Sequence, residues 1–181
     1  MKRNLLIIAL LLAGFTMFTQ KASAQATVNS SNVPVKISLV DIVSITLGGT
    51  PQVEFLYDTE AKYKAAQVVT KTGAFTVFSN KKYNVTVKAN AAFTPPAGTT
   101  NVIPLDVVTV SVVSGSAANG ATFAAAPLSL TAQPLITGSN PSLGQAFNID
   151  YTIPAARAEA DLLGKVAGDY TTTLVYTLTQ Q

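Results

Sequence analysis

Few residues in this 181-residue chain can do acid–base or nucleophilic chemistry. It has no histidine and no cysteine. That removes Ser-His-Asp and Cys-His nucleophile systems and zinc sites of the Cys/His kind. Nine carboxylates remain. Asp58 and Glu60, in the stretch DTE, offer a close pair, and paired carboxylates are what glycoside hydrolysis uses. Their surroundings are polar, which fits a solvated loop better than a catalytic pair. A calcium ion needs several oxygens gathered in one place. Asp58, Glu60, Asp106, Asp161 and Asp169 are too scattered to specify such a site. No Gly-rich phosphate loop follows a strand and opens a helix. The N-x-S/T sequons at Asn29 and Asn84 read as chance matches, Asn84 because it falls within a strand-like run. The chain is therefore predicted to be no enzyme and to hold no metal and no cofactor.

With catalysis set aside, function must come from the elements themselves. The stretch VPVKISLVDIVSITL, residues 33–47, alternates apolar and mixed positions for about twice the length of an ordinary strand. Val33, Val35, Ile37 and Leu39 make the first half of one face, and Val43, Ile45 and Leu47 the second. Asp41 interrupts the series and marks a joint. Two arrangements fit. In one, the whole stretch is a first strand that switches sheets at Asp41, as sandwich strands do at bends. In the other, residues 33–39 are a donor segment lent to a neighbour, and only the residues after Asp41 belong to the chain's own core.

The rest of the chain is read as strands between turn clusters. QVEFLY alternates at Val53, Phe55 and Tyr57, and QVVTK is a short edge strand. GAFTVFSNKKYNVTVKAN is read as a hairpin turning at NKK, because a short Asn-containing connection joins two alternating runs. VIPLDVVTVSVV, PLSLTAQPLI and QAFNIDYTIP supply further strands. The last strand is DYTTTLVYTLTQQ, with Tyr170, Leu174, Tyr176 and Leu178 on one face. DTEAKYKAA and AARAEADLLGKVAG allow a helical turn or two. The predicted fold class is all-β, an immunoglobulin-like antiparallel β-sandwich of about eight to nine strands.

The N-terminus carries an export signal. Lys2 and Arg3 precede the apolar run LLIIALLLAGFTMF, and Ala22 and Ala24 give the A-x-A pattern of a cleavage site. Residues 1–24 are predicted to be removed, leaving no membrane span and one domain over 25–181, with 25–40 as an N-terminal extension. The chain has 12 basic residues, and losing Lys2, Arg3 and Lys21 leaves nine against nine acids, a formal net charge of zero. Nucleic-acid binding, which needs a sustained basic surface, loses its support. Lys62, Lys64, Lys71, Lys81, Lys82 and Lys88 nevertheless cluster in residues 61–90 without an acid, and are read as guards of edge strands.

AGDYTTTLVYTLTQQ resembles the closing strand of exported bacterial β-sandwich subunits: chaperone–usher-type pilins, spore-coat-U-like proteins and WxL-type domains. FLYDTEAKYKAA through FTVFSNKKYNVTVKAN is similar to small secreted proteins of Bacteroidota. Gly168 matches the glycine that opens the last pilin strand. Gln180 departs from the aromatic that pilins place second from the end, the pilin disulfide has no counterpart, and no Trp is present for a WxL motif. The resemblance implies a periplasmic, cell-surface or extracellular structural or adhesive protein. It implies self-assembly by β-strand addition into a fibre, or capture by a periplasmic chaperone. The alternative from a different class is a secreted module that binds a glycan or host surface through Lys62, Tyr63, Lys64 and the loops TPPAGTTN and SGSAANG.

Overall fold

A computed structural model describes residues 27–113, 116 and 119–181. The predicted cleavage site lies outside the described residues. The described chain falls into two units, residues up to Ser38 and Leu39–Gln181. Residues 27–42 form no strand or helix, and 27–38 are exposed throughout.

The second unit is mostly β. Nine strands occur among the described residues: β1 Val43–Leu47, β2 Gln67–Ser79, β3 Tyr83–Ala89, β4 Thr109–Val112, β5 Thr122–Phe123, β6 Ala126–Pro127, β7 Gln133–Ser139, β8 Ser142–Ile153 and β9 Leu174–Gln180. Two short helices accompany them, α1 Glu60–Lys64 and α2 Ala155–Asp161. The strands make two antiparallel sheets, ordered β1-β2-β8-β4-β6 and β5-β7-β3-β9. Their inward positions share one core: Phe75 and Val77 from β2, Val85 and Val87 from β3, Ile136 from β7, and Phe147 and Ile149 from β8. Phe147 joins the layers, with its ring 5.5 Å from Phe75 and edge-on to Phe123 at 6.3 Å. Alternation of period two in β3 and β8 is what lets each strand bury one face and wet the other.

Several expectations change here. The NKK connection is not a hairpin turn. β2 and β3 lie in different sheets, so Asn80–Lys82 crosses between layers. QVVTK is not a separate strand but the first part of the 13-residue β2; it pairs with β8 on one side, and because β1 covers only Phe75–Ser79, its other side is an edge among the described residues. Lys71 lies on that uncovered stretch, whereas Lys88 lies in β3, between β7 and β9. QVEFLY alternates half-buried Val53, Phe55 and Tyr57 with exposed neighbours, but among the described residues no strand pairs with it. The long first strand is only β1: residues 33–39 join no sheet. Gly168 and Tyr170 precede β9 rather than belonging to it.

Local chemistry explains where β1 stops. β2 carries a bulge between Lys71 and Phe75, and Gly73 sits there at φ +58°, a backbone conformation that suits glycine. Its N–H donates to Asn148 Oδ1 at 2.7 Å. β1 pairs down to Phe75, Gly48 N–H reaches Ala74 O at 3.0 Å, and the bulge ends the ladder.

The domain has two distinct ends. β2 finishes at Ser79 beside β3's start at Tyr83, which pairs with Gln180; this is the turn pole. α1 precedes β2 and α2 follows β8, where Gln67 pairs with Ile153; this is the helix pole. Arg157 of α2 staples it, donating to Asp106 at 2.7 and 3.1 Å and to Asp161 at 2.6 Å.

Candidate functional site

The feature that stands out is an unfinished sheet. β9 pairs only with β3 among the described residues, so its other side is open. The register decides which groups face the gap. Asn90 N–H donates to Thr173 O at 2.9 Å, and Gln181 N–H to Lys82 O at 2.8 Å. Antiparallel neighbours exchange bonds at every second residue. The odd-numbered residues of β9 therefore bond β3, and the N–H and C=O groups of Leu174, Tyr176, Leu178 and Gln180 point into the gap. The side chains of the same four residues are half-buried and turn toward the core, while Val175, Thr177 and Thr179 are exposed.

The other sheet ends in β1, whose outer side is also unpaired among the described residues. Ile45 is its one half-buried side chain. The floor between these edges is aromatic. Tyr176 lies 5.0 Å from Phe75, and its hydroxyl meets that of Tyr151 at 2.6 Å. Burial pushes the Tyr176 phenol well above its usual range, and the adjoining Tyr151 hydroxyl adds to the shift. Burial also raises Tyr151, with its bond to Tyr176 acting in the opposite direction.

The chain enters β1 through a latch. Asn80 Nδ2 donates to Val40 O at 2.8 Å, and Ile42 N–H donates to Asn80 Oδ1 at 3.0 Å. Gln180 Nε2 donates to Ile42 O at 2.9 Å and to Ser79 Oγ at 3.0 Å. Lys81 Nζ sits 2.6 Å from Asp41 Oδ2. Asp41 thus lies where the unstructured stretch meets β1, on the surface, in an exposed ion pair of a kind that contributes little by itself. Before the latch, Val33, Val35, Ile37 and Leu39 are 79, 84, 81 and 88% exposed. Four alternating aliphatic side chains in water are an unspent hydrophobic face.

The other sequence-predicted groups are dispersed. Asp58 is held by Lys62 at 2.7 Å, which lowers its carboxyl below the usual range, and Glu60 is held by Lys64. Tyr63 of α1 stacks on Tyr57, with centroids 4.9 Å apart. The residues proposed to bind a glycan do not converge. α1 lies at the helix pole. Pro96, in the first loop, is packed by Gly168, whereas Asn119, in the second, bonds Asn140 beyond Ser139 at the turn pole. Gly168 has φ +139°, and a Cβ there would stand 2.6 Å from Pro96 Cγ. Asn84 is engaged in β3, accepting from Gly138 N–H at 2.8 Å.

Sequence reasoning missed Asn80 and Gln180. Each looked like an ordinary turn or strand residue, and nothing local announces a partner about forty or more positions away. No protein-family model matches the chain, and no curated protein matches it.

Proposed function

We propose that the protein is a non-enzymatic, exported cell-surface subunit that joins copies of itself by β-strand addition. The fold would be an immunoglobulin-like sandwich with one position vacant. In such sandwiches strands A, B, E and D form one sheet and C, F and G the other. β1, β2, β8 and β4 follow the first order, β3 and β9 stand as C and F, and no described strand occupies G. The observation that carries the reading is this open β9 edge in a chain that also exposes Val33, Val35, Ile37 and Leu39. An extended segment added there gains main-chain bonds for affinity and alternate pockets for specificity.

Proline fixes the direction. The β9 residues that face inward also aim their main-chain groups at the gap. A donor whose odd-numbered side chains face inward offers the same residues' N–H and C=O groups only if it runs antiparallel to β9. Pro34, which lacks an N–H, then points away from β9. A parallel donor would turn Pro34 toward β9 and lose a bond. Of the antiparallel registers, the one that fills all four inward β9 positions sets Val33, Val35, Ile37 and Leu39 opposite Gln180, Leu178, Tyr176 and Leu174.

The donor must come from another copy. In that register Leu39 lies at the far end of β9 from Gln180, about 20 Å away at ~3.4 Å per residue. The chain's own Ile42 is tied to Gln180, and the three residues from Leu39 to Ile42 reach at most about 11 Å. Self-insertion in this direction is out of reach. A periplasmic chaperone would cover the same edge before assembly.

Comparing Gln25–Gln181 with a chain starting at Ile42 tests this. Light scattering should find the longer chain assembled and the shorter one monomeric and able to bind an added VPVKISL peptide. A longer chain that remains a stable monomer, and unfolds when shortened, would overturn the proposal.

A further inference from the structure

Resting on the strand-addition reading, we infer a second contact between copies: the turn pole of the donating copy seats against the α1–α2 cleft at the helix pole of the accepting copy. The latch leaves no slack. When Leu39 lies opposite Leu174 of the acceptor, the donor's Ile42 is at most about 11 Å further on. Ile42 is itself bonded to Asn80 and Gln180 of its own copy, at the turn pole. Leu174 marks the opposite, helix-pole end of the acceptor's β9. The two poles are thereby brought together whatever else the surfaces prefer.

The two surfaces suit each other. The acceptor's cleft, about 490 Å³, is lined by Tyr57, Tyr63 and Leu163, with Glu159, the Lys62-paired Asp58 and the Glu60–Lys64 ion pair at its sides, so Glu159 carries its one unpaired charge among the described residues. Glu159 is exposed and makes no ion pair among the described residues. The donor's turn carries Lys81, engaged with Asp41, and Lys82, which has no acidic partner among the described residues. Lysine lays its aliphatic stem on apolar surface while keeping its ammonium in water. Lys82 therefore fits with its stem against the tyrosines and its charge beside Glu159. One bond network then holds the donor's root while a charge pair fixes the angle between consecutive copies.

Charge exchange tests the contact in the processed full-length chain. Lys82→Glu and Glu159→Lys are each expected to raise the protein concentration needed for assembly by about fivefold or more, since like charges at an interface are disfavoured. The double variant restores a value within about twofold of the original. Each variant should keep the parent melting temperature as a monomer, measured after the donor is disabled by Ile37→Asp. Assembly of the single variants at the parent concentration, or a double variant no better than the worse single, overturns the pole contact and leaves strand addition standing. A parent chain that never assembles overturns both.

Discussion

Replacing Ile37 by Asp tests whether residues 33–39 insert into a neighbouring copy, as proposed, or belong to their own domain. Ile37 is 81% exposed in the single chain, so its replacement removes almost nothing from the chain's own packing. Full burial of an isoleucine is worth ~1.5–3 kcal/mol, and about four-fifths of that becomes available on insertion, ~1.2–2.4 kcal/mol. Loss of this term alone weakens the contact roughly 7- to 50-fold, at 1.4 kcal/mol per tenfold. The aspartate adds its own cost, because a polar group placed over Tyr176 without a partner is disfavoured by ~1–3 kcal/mol. The sum, ~2–5 kcal/mol, corresponds to at least about thirtyfold. Sedimentation velocity over a concentration series reads the assembly. Circular dichroism reads the monomer's melting temperature, which should not move. An Ile37→Asp chain that assembles like the parent would refute the insertion argument. A fall in the monomer's melting temperature would show that Ile37 belongs to its own core.

Other perturbations test the groove and its latch. Asn80→Ala removes both side-chain bonds to Val40 and Ile42; at about 0.5–1.5 kcal/mol each, the loss should appear as faster amide exchange at Ile42. Gly168→Ala combines an unfavourable φ of +139° with a contact on Pro96, and should destabilise by about 1–3 kcal/mol in urea unfolding. Tyr176→Phe leaves the buried Tyr151 hydroxyl without its partner, a loss of about 1–3 kcal/mol in the same assay. The pH dependence follows from the raised Tyr176 phenol. The unfolded phenol ionises near the ordinary value of 10.0, while the folded one keeps its proton. This contribution is complete below about pH 10 and fades as pH rises above it. Melting temperatures from pH 8 to 11 should fall less steeply in Tyr176→Phe than in the parent.

The two sheets were legible because burying one face of a strand forces period-two alternation, and β3, β9 and the Phe147–Ile153 part of β8 keep it without interruption. The alternation of residues 33–47 was legible too, but its meaning was not. A stripe records that a face can be buried, not what buries it. β1 ends at Leu47 because β2 bulges at Gly73, and it begins at Val43 because Asn80 and Gln180 hold Val40 and Ile42. Neither partner is visible from the segment itself. The NKK turn misled for the same reason: Asn-rich connections serve a hairpin and a sheet crossing equally, and only the partners of β2 and β3 distinguish them. By itself the sequence determined an all-β, cysteine-free and histidine-free chain with an interrupted apolar stripe near its start. These are local properties of composition and spacing. The tertiary structure alone decided that β9 has an open edge among the described residues, because a strand's neighbours are set by how the whole chain closes its core.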